Sequence, residues 1–119
     1  MLTWAQVVDI VTKLPEVEVG SSYGTPALKV KGKLLVRLKE DGESVVVRTP
    51  DLDSKEALLA ADPEVFFTTT HYDGYAAVLV RLSRVRKKMF DGLVRDVYLH
   101  VAPKKLAEAV RGATSSSRR

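Results

Sequence analysis

Ala60-Ala61-Asp62-Pro63-Glu64-Val65-Phe66-Phe67 leads into Thr68-Thr69-Thr70-His71-Tyr72-Asp73-Gly74-Tyr75, and that into Ala76-Ala77-Val78-Leu79-Val80-Arg81-Leu82. Both apolar ends of this stretch read as core. Residues 65–67 form a short strand after the break at Asp62-Pro63. Residues 75–82 form the longest one. Its two-residue period sets Ala76, Val78, Val80 and Leu82 on one face and Ala77, Leu79 and Arg81 on the other. Between the strands lies the densest group of polar, aromatic and ring-nitrogen side chains in the chain.

Upstream, short alternating runs are separated by turn residues. Residues 16–22 set Val17 and Val19 against Glu16, Glu18 and Gly20, an edge-strand pattern that Tyr23-Gly24-Thr25-Pro26 breaks. Residues 27–30 and 34–39 are strands joined across Lys31-Gly32-Lys33. A two-residue turn at Lys31-Gly32 pairs Val30 with Lys33. A three-residue loop pairs Val30 with Leu34 and Leu28 with Val36, and is preferred because apolar then faces apolar. Asp41-Gly42, within Glu40-Asp41-Gly42-Glu43, marks the next hairpin, and residues 44–48 return from it. Strands joined by such tight turns are antiparallel.

Helical spacing appears at both ends of the chain. Thr3 and Gln6 have capping-box spacing, and Trp4, Val7, Val8, Val11 and Leu14 share one face before Pro15, which predicts a helix over residues 3–13. Asp53 with Glu56 predicts the cap of a second helix carrying Leu58 and Leu59. Over residues 86–101, Phe90, Leu93, Val94, Val97, Tyr98 and Val101 form a continuous apolar stripe. Pro103 opens a short last helix with Leu106 and Val110. One antiparallel sheet with N-terminal and C-terminal helices packed on one face makes a two-layer α+β domain. Trp4, Phe90 and Val97 are expected to be buried against Val78 and Val80. The other sheet face is expected to be open and to carry Lys29, Arg37, Arg48 and Arg81.

Length and composition set the class. The 119 residues fit one domain, read as residues 1–111, with residues 112–119 a disordered basic tail. There is no cysteine, which excludes a disulfide scaffold, a thiolate metal site and a cysteine nucleophile and suits a cytoplasmic protein. No positive n-region or long apolar run is present, so neither a signal peptide nor a membrane span is expected. The net charge of +4 is uneven: residues 1–60 sum to −1 and residues 61–119 to +5. A basic second half invites a polyanion.

Three blocks resemble one known family, the MmcQ/YjbR-like proteins. The first is Tyr23-Gly24-Thr25-Pro26-Ala27-Leu28-Lys29-Val30-Lys31-Gly32-Lys33. The second is Ala61-Asp62-Pro63-Glu64-Val65-Phe66-Phe67 with His71-Tyr72-Asp73-Gly74-Tyr75 and Val78-Leu79-Val80-Arg81-Leu82. The third is Ala102-Pro103-Lys104-Lys105-Leu106. The resemblance implies a CyaY-like (frataxin-like) fold and DNA binding, the latter from a proposed likeness to double-wing DNA binders. The Lys31-Gly32-Lys33 turn fits a phosphate contact, whereas the acidic Glu40-Asp41-Gly42-Glu43 turn departs from a symmetric two-wing mode. The iron site of frataxin-like proteins does not carry over, because residues 3–13 hold only Asp9 as an acid.

Two candidate sites follow. The nucleic-acid reading takes Lys31, Lys33, Arg84, Arg86, Lys87 and Lys88 as phosphate contacts of little sequence preference. Cations at the start of a helix oppose its macrodipole, so Arg86, Lys87 and Lys88 do nothing for that helix. The alternative takes Lys29, His71, Tyr72, Tyr75 and Arg81 as a small-molecule or protein-partner site, with His71 as a general base or ligand-binding group. The plainer account of residues 71–75 is a hydrogen-bonded turn. His100 carries no functional reading. No acid–base pair has catalytic spacing, no glycine fingerprint points to a cofactor, and two distant histidines without thiols do not make a metal site.

Overall fold

The computed structural model describes residues 2–22 and 24–116; Tyr23, Arg118 and Arg119 lie outside the described residues. The elements run α1 Trp4–Val11, β1 Val17–Ser22, β2 Thr25–Val30, β3 Lys33–Leu38, β4 Ser44–Arg48, α2 Leu52–Ala61, β5 Phe66–Phe67, a 3-10 turn Thr70–Tyr72, β6 Ala77–Arg81, α3 Lys87–Val101 and α4 Lys104–Ser116. The strands form one six-stranded sheet in the order β1-β2-β3-β4-β6-β5. Every neighbouring pair is antiparallel. No helix among the described residues is long and apolar enough to cross a membrane.

The α+β expectation holds, with α1 and α3 over the same sheet face. Val7, Ile10 and Val11 of α1 and Phe90, Val94, Val97 and Tyr98 of α3 share one core cluster with Val36, Val45, Val47, Val78 and Val80. Thr3 caps α1 through the expected box with Gln6. The Tyr98 hydroxyl donates to the Pro15 carbonyl at 2.7 Å and ties α3 to the α1–β1 link. Phe90, Val97, Val78 and Val80 are buried as expected. Trp4 is not: it is half-buried, packed against the margin of the core. It sits in the first turn of an eight-residue helix, at the rim of the layer, while the next turns fill the centre.

Three local expectations change. The β2–β3 hairpin closes by the two-residue turn, with Lys31 at φ 49° and Gly32 at φ 80°, the doubly left-handed shape that suits strand twist. Val30 therefore faces Lys33, yet Leu28 still faces Val36, because a bulge after Lys29–Leu34 absorbs one residue. The bulge also brings consecutive Leu35 and Val36 into the core. Helix α2 is capped by Asp51, not Asp53; its carboxylate accepts from the Ser54 N–H at 2.7 Å, which holds its pKa below the ordinary value. Finally, α4 continues through residues 112–116, where composition alone reads as tail.

The second sheet face is not open at its centre. Ala27, Arg37, Val46 and Leu79 form one row across β2, β3, β4 and β6. They lie opposite the helix-covered core, yet all are buried, Arg37 to 4% exposure. Residues 68–76 cross this row as a strap. The Tyr72 hydroxyl accepts from the Arg37 guanidinium at 2.6 Å. Buried Lys55 of α2 donates to the carbonyls of Tyr72 and Tyr75 at 2.6 and 2.9 Å. Two cations are thus kept from water by polar partners, as burial requires. Arg48 alone of the four expected cations is exposed on that face, with Lys29 and Arg81 half-buried.

Candidate functional site

The basic run begins where β6 ends. Arg84, Arg86, Lys87 and Lys88 are all exposed, and none forms an ion pair among the described residues. Arg86 stands at the N-cap of α3 in extended conformation, makes no side-chain cap, and no acid occupies the first turn. Each cation there opposes the helix dipole by about 0.3–1 kcal/mol, and the first-turn N–H groups lack a side-chain acceptor. Burial of the apolar stripe holds the helix in spite of this. Beside it, Lys87 and Lys88 line a groove of about 470 Å³ between α1 and α3, together with Lys13, Arg95 and Asp91. Lys13 and Arg95 escape a reading of the sequence because Lys13 lies far from the run in the chain, just past α1, and Arg95 stands two turns along α3 from Lys88. The packing of α1 on α3 brings Lys13 to the run, and the helical repeat of α3 brings Arg95.

The second basic group lies elsewhere. Ser44 pairs with Arg81 and Arg48 with Ala77, so β6 ends beside the β3–β4 turn. Lys31 and Lys33 belong to the turn at the opposite end of β3. At about 3.3 Å per residue, the length of β3 puts roughly 17 Å between this turn and the end of β6 from which the basic run departs. Lys31 also pairs with Glu16 at 3.2 Å. The six cations taken together from the sequence are therefore two separate groups.

The sheet end that carries Arg84 is shaped by a cleft of about 860 Å³. The Leu2 N–H donates to the Leu82 carbonyl at 2.7 Å, which brings the first turn of α1 to this end. Trp4, Phe67, Arg81 and Arg84 line the cleft, with Glu43 and Glu64 among the acids. Arg81 lies 4.2 Å over the Phe67 ring and donates to the carbonyls of Pro63 and Glu64 at 3.2 and 3.3 Å. The Asp41 carboxylate is committed to its own turn. Burial opposes its charge, but donors from Glu43 and Ser44 outweigh this and hold its pKa below the ordinary value.

The corner at residues 71–75 is built as the strap. The rings of His71 and Tyr72 meet edge to face at 4.9 Å, and Lys39 lies 5.8 Å over the Tyr72 ring. The Tyr72 hydroxyl and carbonyl are engaged by Arg37 and Lys55. Tyr75 is exposed. Arg81 is at the far end of β6, against Phe67, so it does not join His71. Lys29 pairs with Leu34 in the β2–β3 ladder and forms no hydrogen bond with residues 71–75 among the described residues.

Comparison with known proteins agrees with this architecture. The YjbR family model matches residues 12–100. The chain is 37% identical to the uncharacterised proteins Mb2600 of Mycobacterium bovis and Rv2570 of Mycobacterium tuberculosis, over 92% of this chain and 95% of each relative. The crystal structure of Deinococcus radiodurans protein DR2400, a DUF419 domain, superposes with a TM-score of 0.69 at 21% identity, covering 83% of this chain and 78% of that one. That likeness concerns the fold.

Proposed function

This chain belongs to the YjbR family, and on that premise we propose that it binds DNA through the phosphate backbone, with little regard to sequence, using Arg84, Arg86, Lys87 and Lys88. One observation carries the reading. Four exposed cations crowd the approach to α3 without an ion pair among the described residues, and the three at its cap and first turn work against that helix. A phosphate at that place accepts from uncapped N–H groups and is met by the cations at once. Lys13 and Arg95 extend the same field along the α1–α3 groove. Lys31 and Lys33, at the other end of the sheet, form no part of this contact. Lysine and arginine side chains grouped at a helix start suit phosphates, and phosphate contacts position a protein without reading sequence.

A salt titration tests this. Each cation that neutralises a duplex phosphate releases counterions, and the log–log slope is about −0.9 per contact, or about −3.6 for four. Binding to unrelated duplexes should show comparable affinity and this slope. Absence of binding at low salt, or affinity indifferent to salt, would overturn the proposal.

A further inference from the structure

We propose that the cleft beside Arg84 takes an unstacked base of a single strand whose phosphates lie on the cations of the α3 start, so that single-stranded nucleic acid is the preferred ligand. This rests on the phosphate reading above and adds what the strand does next to it. Arg84 is both a wall of the cleft and the first cation of the run, so the two surfaces are continuous. The cleft offers flat faces. Trp4 and Phe67 are only half-buried, and the Arg81 guanidinium lies 4.2 Å over the Phe67 ring while donating to two backbone carbonyls. Aromatic rings and a fixed guanidinium plane are the surfaces on which splayed bases stack.

Charge sorts the two parts of a nucleotide. Glu43 and Glu64 line the cleft and would repel a phosphate there, while their carboxylates accept from the exocyclic amino groups of bases. The phosphates remain outside, on Arg84, Arg86, Lys87 and Lys88. The volume of about 860 Å³ is within the range that takes a small organic ligand, and admits no duplex. A base must therefore leave its stack to enter, which a single strand does at little cost.

The only tryptophan of the chain is a wall of the cleft, so its emission reports occupancy directly. A short mixed-sequence oligodeoxynucleotide is titrated into the wild-type protein, once single-stranded and once annealed to its complement, with a mononucleotide as a third arm. The single strand is expected to bind about tenfold more tightly than the duplex and to quench Trp4, which the duplex does not. Phe67→Leu, checked for an unchanged thermal transition, is expected to abolish the single-strand advantage while leaving duplex affinity and its salt slope intact. Equal binding of both forms with unchanged Trp4 emission overturns the cleft proposal and leaves the phosphate reading standing. Binding of neither form at low salt overturns both. Quenching by the mononucleotide as strong as by the strand, without salt dependence, also overturns it, since the cleft would then serve a free nucleotide.

Discussion

Arg37 is 4% exposed on the sheet face away from the helices. Burial disfavours its charge, but the Tyr72 hydroxyl and the Glu40 carboxylate outweigh that and raise its pKa further above the ordinary value. Thr25 Oγ1 accepts as well, at 3.0 Å. Tyr72→Phe removes the 2.6 Å partner without changing the ring. Removing a hydrogen bond to a buried charge should cost about 1.5–3 kcal/mol in a denaturant titration. A loss below about 0.5 kcal/mol would mean that the hydroxyl does not hold the strap. Strand alternation places Arg37 on this face from sequence alone. It cannot show that a residue far along the chain closes over it, because nothing local to Arg37 or Tyr72 encodes the contact. Trp4 is the converse case: its helical phase is legible, but its place at the rim depends on where the short helix starts over the sheet.

At the scale of elements, turns decide what patterning leaves open. The β2–β3 hairpin satisfies turn chemistry and apolar pairing together, through Lys31-Gly32 and the bulge beside Leu35. Reading the two demands as alternatives misses this, since a bulge has no sequence mark of its own beyond the extra apolar residue. The β3–β4 turn is held by Asp41, which accepts from the Glu43 and Ser44 N–H groups at 2.8 and 3.0 Å. Its native pKa is lowered, so the native state binds its proton less readily than the unfolded chain does. That stability is present above the ordinary carboxylate pKa and is lost as pH falls through the native value. Asp41→Asn should therefore lower the thermal midpoint at neutral pH and flatten its fall in acid. An acid limb as steep as that of the wild type would place the sensitivity in other carboxylates. Helix α3 was legible almost to its ends, because its stripe is long and continuous. The cap of helix α2 is not legible in the sequence, because Asp51 and Asp53 offer equally good cap chemistry and only the structure shows that the backbone at Asp51 is extended.

Across the whole molecule, topology separates what composition joins. The basic run after β6 and the basic β2–β3 turn invite one binding surface, yet antiparallel order sends the end of β6 and that turn to opposite ends of the sheet. The same order brings the first turn of α1, the β3–β4 turn and the end of β6 together around the cleft. Neither juxtaposition is written in any single stretch; both follow once strand order is known. The central claim is that phosphates are held at the start of α3. Its most direct test compares two charge reversals in one salt-titrated duplex assay: Arg86→Glu with Lys87→Glu and Lys88→Glu, and separately Lys31→Glu with Lys33→Glu. The triple reversal should weaken binding to all sequences by more than about tenfold and flatten the slope by about 2.7, at about 0.9 per contact. The double reversal should change affinity and slope little. Binding that survives the triple reversal with its slope unchanged, and is abolished by the double, would contradict the account.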